Sequence, residues 1–300
     1  VVVRALRMKR LANDIGDVVS GRAVHPITPV PGGFTRIPTV AELKELKRRL
    51  EEDMVPDFLA TVETMKALAG EIPDFHRETE FIALCNDDEY ALYDGDICST
   101  DTGRVPDSEY RKMTNEFIVP HSTSKHCKAN RSSFMVGALA RWNVNHDRLC
   151  DISQQAAEAL GLKPNCHNPY MNTVAQVVEA AHCVVDSLAI IDKLLGDGPK
   201  DEKPNQEPTR FGTGVGCTEV PRGILYHEYT YDHKGRIEAA NCIIPTGQNL
   251  ANIDDDMVKL VPESIELGED EITRRLEMLV RAYDPCISCS VHLLDVEFKR

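Results

Sequence analysis

No run of eighteen or more apolar residues occurs in this 300-residue chain, so no helical membrane span is expected from it. A secretory h-region is lacking too. Basic residues are the minority, since 34 Lys and Arg stand against 48 Asp and Glu for a net charge of −14. That balance argues against nucleic acid and anionic membrane as partners, because both select basic patches. A disulfide framework lacks its signature: of ten cysteines, eight (Cys85, Cys98, Cys127, Cys150, Cys166, Cys183, Cys217, Cys242) are scattered singly. In apolar or mixed stretches a cysteine behaves as a small hydrophobe, and each of the eight is read as core filler. Unpatterned thiols fit a reducing compartment, with the cytoplasm as the default. Phosphate-binding fingerprints are missing as well. Phe211-Gly212-Thr213-Gly214-Val215-Gly216 is glycine-rich, yet neither known spacing fits and no Lys-Ser/Thr follows.

What the chain does have is a dense ending, Tyr283-Asp284-Pro285-Cys286-Ile287-Ser288-Cys289-Ser290-Val291-His292. Two cysteines three apart can turn both sulfurs to one ion, and thiolate suits nickel, iron, copper(I) or zinc better than magnesium or calcium. Pro285 removes a backbone donor and pushes Asp284 out of the helical region, so the preceding helix stops there and passes the cysteines to a loop. By itself Cys-x-x-Cys leaves a structural zinc knuckle and a redox pair equally open. A closed zinc site wants a second Cys-x-x-Cys or a His-x-x-x-His, and neither is present.

Asp-Pro-Cys-x-x-Cys-x-x-His near a C-terminus resembles the closing motif of the large subunit of nickel–iron hydrogenases. Glu219-Val220-Pro221-Arg222-Gly223, followed by His227, is similar to that family's E-x-P-R-G segment. Asn241-Cys242-Ile243-Ile244-Pro245-Thr246-Gly247-Gln248-Asn249 is similar to its V-V-P-(S/T)-x-x-N segment. Gly21-Arg22-Ala23-Val24-His25-Pro26, with Gly32-Gly33 after it, fits a further segment near the start, so the resemblance spans nearly the whole chain. One departure is large: the family holds its metals with four cysteines, two of them in an N-terminal R-x-C-G-x-C motif, and here the first cysteine is Cys85. The chain also begins Val-Val-Val, and it is read as a C-terminal fragment of a single large-subunit domain, residues 1–300, incomplete at its N-terminus.

The pattern between the motifs is mainly helical with small antiparallel sheets, an α+β arrangement for which the resemblance implies a helical bundle core. Apolar residues at mixed spacing with several basic ones suggest a helix over Val1–Val19. Apolar periodicity predicts an amphipathic helix over Val40–Ala69 bent at Pro56 and a strong one over Met171–Leu195, and Phe134–Trp142 and Asp151–Leu160 read as helices too. Glu271–Ala282 is the helix that delivers the closing motif. Thr79–Leu84 and Tyr90–Tyr93 read as strands around Asn86-Asp87-Asp88, and Asp107–Phe117 as a helix capped by Asp107. Ile224–Tyr231 and Ile237–Ile244 read as strands joined at Asp232-His233-Lys234-Gly235. His121–Arg131 carries His121, His126 and Cys127, for which a surface loop is a simpler reading than a second metal site.

The resemblance implies roles. Cys286 and Cys289 are two of the four thiolates around nickel, Cys289 bridging to iron. His292 ligates a magnesium or iron ion together with the backbone carbonyl of Cys242. Arg222 is the guanidinium over the open metal position, paired to Asp284, with Pro221 as a wall. Pro245 and Thr246 line the centre, the Thr246 hydroxyl bonding the diatomic ligands on iron. The activity implied is reversible oxidation of H2 to protons and electrons. No iron–sulfur pattern is present, so an iron–sulfur small subunit and electron-acceptor subunits are implied partners. A maturation endopeptidase that removes Leu293–Arg300 is a third. The alternatives are a non-catalytic, hydrogenase-like subunit of a respiratory or membrane complex and a zinc-binding interaction module.

Overall fold

The computed structural model describes residues 1–201 and 211–286 of the chain. Contacts divide it into two units: residues 1–69 with the segment from 180, and residues 70–179 with the segment from 211. Its class is as the sequence indicates, mainly helical with small sheets.

The first unit is helical because its apolar residues recur at helical spacing. Helix α1 (Val2–Ser20) ends at Gly21, whose φ of 75° suits the left-handed cap. A two-stranded ribbon, β1 (Pro29–Val30) with β2 (Gly33–Phe34), turns at Gly32 and leads to α2 (Val40–Arg49). Thr39 starts α2 with a capping box: its side chain accepts the Glu42 N–H, and the Glu42 carboxylate accepts the Thr39 N–H. The expected bend at Pro56 takes the form of a π-helical turn, Leu50–Met54, before α3 (Val55–Leu68). Leu46, Leu50, Met54 and Phe58 are all buried at steps of four residues. On a pure α-helix each such step overshoots by about 40°. The wider turn takes up part of that drift and keeps the stripe facing Leu11, Leu43 and Ile191, with which Leu46, Leu50 and Met54 form the unit's core.

The second unit holds the larger sheets. Strand β3 (Glu80–Cys85) is buried along its whole length and pairs antiparallel with β4 (Asp96–Ser99), which in turn pairs with β5 (Gly103–Val105). Tyr90–Tyr93, expected as the second strand of this hairpin, is instead part of the loop before β4. The Leu92 carbonyl accepts the Glu219 N–H and the Thr218 hydroxyl, and the Tyr90 hydroxyl donates to Glu179, so this stretch bonds elsewhere. Cys85 and Cys98 on β3 and β4 are joined as a disulfide, Cα–Cα 5.9 Å, which corrects their reading as filler. Asp107–Lys112 forms only a 3-10 turn, N-capped at Pro106 rather than Asp107. The rest of the expected helix turns extended as β6 (Asn115–Phe117), paired with β7 (His126–Lys128).

Strand β8 (Phe134–Met135) pairs parallel with β3, an exception to the antiparallel expectation, and shortens the following helix to α4 (Ala138–Asn145). Helices α5 (Asp151–Ala159) and α6 (Asn172–Asp197) follow. Among the described residues, 169–197 is the one helical stretch long and apolar enough to cross a membrane, with 28% of its most apolar window buried. It passes by length and composition although Gln176, Glu179, His182 and Asp186 interrupt every long apolar run. Strands β9 (Thr213–Val220), β10 (Gly223–Tyr231) and β11 (Ile237–Ile243) make a three-stranded antiparallel sheet with β10 central. The glycine-rich stretch thus begins an edge strand, Gly214 opposite Tyr229 and Gly216 opposite His227, where a Cβ on either glycine would meet nothing within 4 Å. Helices α7 (Pro245–Ser264) and α8 (Glu269–Ala282) close the described chain. One core cluster joins both sheets: Ile82, Leu84 and Ile97 from the first, Ile224, Tyr226 and Ile243 from the second.

Candidate active site

Three separated motifs meet in the second unit, and each is held by its own element. Arg222 sits in the tight connection between β9 and β10, where Val220 opposes Gly223 in the register. Gly223 has a φ of +135°, and a Cβ there would lie 2.3 Å from Val136 Cγ2; only glycine lets the turn approach so closely. On its other side, a Cβ on Gly137 would meet the Arg222 carbonyl oxygen at 3.2 Å.

Below this turn lies Arg141, among the largest fully buried side chains of the chain. Its guanidinium donates to Glu179 Oε1 at 2.5 Å and Oε2 at 2.7 Å, and to Glu219 Oε2 at 2.7 Å. It also donates to the carbonyls of Val220 at 3.0 Å and Pro221 at 3.1 Å. Arg141 therefore grips the backbone on which Arg222 rides. Burial alone would lower its pKa, but the carboxylates of Glu179 and Glu219 outweigh that and raise it well above the usual value. Burial pushes the Glu219 carboxyl up, countered by Arg141 and by the Leu84 N–H that it accepts at 2.9 Å.

Pro245 opens α7 at its first turn, where the missing N–H is unneeded. The same turn supplies polar fasteners. Asn249 exchanges bonds with the Val136 backbone, accepting at 2.9 Å and donating at 3.3 Å, and Gln248 donates to the Ile224 carbonyl at 2.7 Å. Thr246, buried, accepts the Cys286 N–H at 3.1 Å. The closing stretch is fixed one residue ahead of Asp284. Buried Tyr283 donates to Asp256, accepts from Asn252 Nδ2 at 2.7 Å, and has its pKa pushed well up by burial. Arg77 bonds both Asp256 and Asn252. The N–H of Asp284 returns to the Arg281 carbonyl at 3.0 Å, and its φ is +49°. Pro285 thus drives Asp284 out of the right-handed helix as expected, but into the left-handed region, which aspartate tolerates better than most residues.

In that conformation Asp284 receives Arg222 twice. Arg222 Nε donates to the Asp284 carbonyl at 2.5 Å and Nη2 to Oδ1 at 3.3 Å, while Gln176 Nε2 reaches Oδ2 at 3.3 Å. The pair is open to solvent, its side chains 38% and 40% exposed. Of the residues expected at the site, Arg222, Asp284, Cys286 and Thr246 are brought together. Pro245 is buried beside Thr246, and Pro221 is exposed with its carbonyl on Arg141. Cys242 is exposed, its thiol 3.4 Å from His227 Nδ1 and 3.6 Å from the Tyr229 hydroxyl. Cys289 and His292 lie outside the described residues, as does the stretch after His292. Sequence reasoning passed over Arg141 and Glu179, and it gave no role to Asn249 and Tyr283, which it met only as members of motifs. For Arg141 a signal existed: it is the one charge in an otherwise apolar run, Phe134–Trp142, and such a charge needs partners.

A family model described as nickel-dependent hydrogenase matches residues 89–292. Sulfhydrogenase 1 subunit alpha of Pyrococcus furiosus is 32% identical, over 97% of this chain and 67% of its own length. NAD-reducing hydrogenase HoxS subunit beta of Cupriavidus necator is 27% identical, over 98% of this chain and 66% of its own length. A solved NAD+-reducing NiFe hydrogenase in the H2-reduced state superposes with a TM-score of 0.82 at 23% identity, over 96% of this chain and 68% of that one. The Ni-Fe-Se hydrogenase of D. vulgaris Hildenborough in its reduced state gives 0.65 at 19%, over 97% and 69%. At those identities the two structures speak for the fold.

Proposed function

Because the chain belongs to the nickel-dependent hydrogenase family, oxidoreductases that act on dihydrogen, we propose that Arg222, Asp284, Thr246 and Cys286 form its part of the active site. The observation that carries this is the Arg222–Asp284 contact, two residues from Cys286, with the Cys286 N–H bound to Thr246. The described residues fit a nickel–iron centre: Cys286 offers a soft sulfur on a backbone already fixed, and a charged pair stands open beside it. When bound, such a centre supplies the redox chemistry that parts dihydrogen into two protons and two electrons.

The residues of this chain do the rest. Asp284 orients the Arg222 fork by accepting at both its carbonyl and its carboxylate, so the guanidinium presents a fixed positive charge without reorganisation. Arg141 keeps the Pro221–Arg222 backbone from yielding. Thr246 accepts from Cys286 and retains its own hydroxyl proton to donate, which suits the diatomic ligands on iron. In this reading Cys286 and Cys289 would hold the nickel–iron centre by their thiolates, His292 and the Cys242 carbonyl would hold a magnesium or iron ion, and Pro221 and Pro245 would wall the pocket.

Residues 1–300 belong to one large-subunit domain. Electrons leave through iron–sulfur clusters on a small subunit and on to acceptor subunits, in the cytoplasm, and a maturation endopeptidase cuts after His292. Cys286→Ser and Cys289→Ser each abolish nickel retention in the assembled enzyme, measured by metal analysis. Arg222→Lys keeps nickel and iron but loses most turnover, since lysine lacks the planar fork. Normal nickel in both cysteine variants, or full turnover in Arg222→Lys, overturns the assignment.

A further inference from the structure

The β6–β7 hairpin rests on α7 and brings two imidazoles to one carboxylate. His121 lies in the connection between the strands, His126 opens β7, and Asp254 stands on α7. Asp254 Oδ2 is 3.0 Å from His121 Nε2 and 3.1 Å from His126 Nε2, and the three ligand atoms lie within 4.8 Å of one another. Cys127, the third residue that drew notice in this stretch, takes no part. It is buried in the sheet core, and its thiol is pushed up to about 12 by burial.

Proton counting makes the arrangement informative. His126 is 3% exposed, and its Nδ1 faces the Ser124 carbonyl at 3.4 Å. A proton on Nδ1 suits that carbonyl and leaves on Nε2 a lone pair aimed at a carboxylate oxygen, which is repulsive. The contact is satisfied by a proton on Nε2 that donates to Asp254 Oδ2, or by a cation held between the two. A carbonyl behind Nδ1 is also the outer-shell partner that presents Nε2 to a metal. The two imidazole–carboxylate distances come near a cation's geometry: two donors on one tetrahedral zinc lie about 3.3 Å apart. The observed separations of 3.0 and 3.1 Å need to open only by a few tenths of an ångström. Nearby cations leave the site free, since Lys125 is paired with Glu116 at 2.5 Å and Lys128 lies over the Phe117 ring.

We propose that His121, His126 and Asp254 bind a divalent transition-metal ion of the zinc or iron(II) class, which pins the β6–β7 hairpin to α7. Two imidazole nitrogens and one carboxylate oxygen form a borderline donor set that favours such ions over magnesium or calcium. Remaining positions are open to water, because His121 is 64% and Asp254 45% exposed. The site does not rest on the nickel assignment at Cys286.

The test uses the assembled enzyme, washed with chelator and then given zinc(II) alone, with bound zinc read by metal analysis after desalting. Wild type retains one more zinc per chain than His121→Ala, an exposed position where truncation leaves the fold intact, and than Asp254→Ala. Affinity falls by at least about 100-fold, more than loss of an outer-shell partner costs. Cys286→Ser keeps this zinc while losing nickel, which separates the two assignments. Cobalt(II) in place of zinc shows no thiolate charge-transfer band. Equal zinc in wild type and His121→Ala, or a thiolate band that persists in wild type, overturns the proposal. So does a contact that titrates with protons alone and takes up no zinc.

Discussion

The two units are held together by opposite means. In the first, an apolar stripe does the binding and most ion pairs stay at the surface: Arg48 pairs with Glu45 and Glu52, and Lys47 with Asp192, while a single buried carboxylate among the described residues there, Asp57, takes the exposed Arg7. Such surface pairs are worth roughly 0–1 kcal/mol each. In the second, charge goes inside. Arg141, Glu219 and Asp256 are fully buried and satisfied by side chains or backbone far away in sequence. Buried pairs of this kind add little net stability, because desolvation consumes most of the attraction. What they contribute is position. An arginine with five acceptors admits one arrangement of the backbone it grips, whereas leucines repack. The unit that carries the site uses the more exacting device.

The sharpest way to break this contrast is Arg141→Met. It leaves Glu219 buried without its partner, so unfolding in denaturant shows a loss of about 3–5 kcal/mol. Amide exchange accelerates over residues 219–223, while nickel content falls with the mispositioned site. A loss under about 1 kcal/mol removes the network from the account. Leu50→Ala comes next. It opens a cavity in the first unit's core and costs about 2–5 kcal/mol, yet exchange at 219–223 stays as in wild type. Equal acceleration at 219–223 sinks the distinction between the units.

The smallest effect sharpens the comparison at the surface. Thr39→Ala removes the α2 cap and costs about 1 kcal/mol. Its partner carries a pH signature, because the Thr39 N–H and hydroxyl, then Arg36, hold the Glu42 carboxyl at about 2. A carboxyl lowered in the folded state stabilises above its unfolded value of 4.5, and the gain is lost as pH falls from there toward about 2. Glu42→Gln is therefore less stable than wild type at neutral pH, and the two curves converge near pH 2. Parallel curves across that window remove Glu42 from the cap.

Much of this molecule was legible without coordinates. Helices α1, α6 and α8 are legible, α6 by its apolar periodicity, and the β10–β11 hairpin follows Asp232, whose carboxylate caps the Lys234 and Arg236 N–H groups at 2.8 Å. Arg222, Asp284, Thr246 and Cys286 were found as motifs, and Pro285 announced the end of α8. Helix α7 was not read, because Asn249, Asn252, Asp254, Asp255 and Asp256 are poor helix formers and Pro262 sits within it. Tertiary demand overrides those propensities: Asn249 and Asn252 are spent on Val136 and Tyr283, and Asp256 on Arg77 and Tyr283.

Periodicity, turn chemistry and a proline's missing donor are properties of a few neighbouring residues, and the sequence alone determined what depends on them. Arg141 meets Glu219 across 78 positions, Arg222 meets Asp284 across 62, and His126 meets Asp254 across 128. Nothing local marks those partners, because a side chain's need for a counter-charge names no address. Only the packed tertiary structure, in which a buried polar group must be satisfied or the fold fails, decided which residues answer one another.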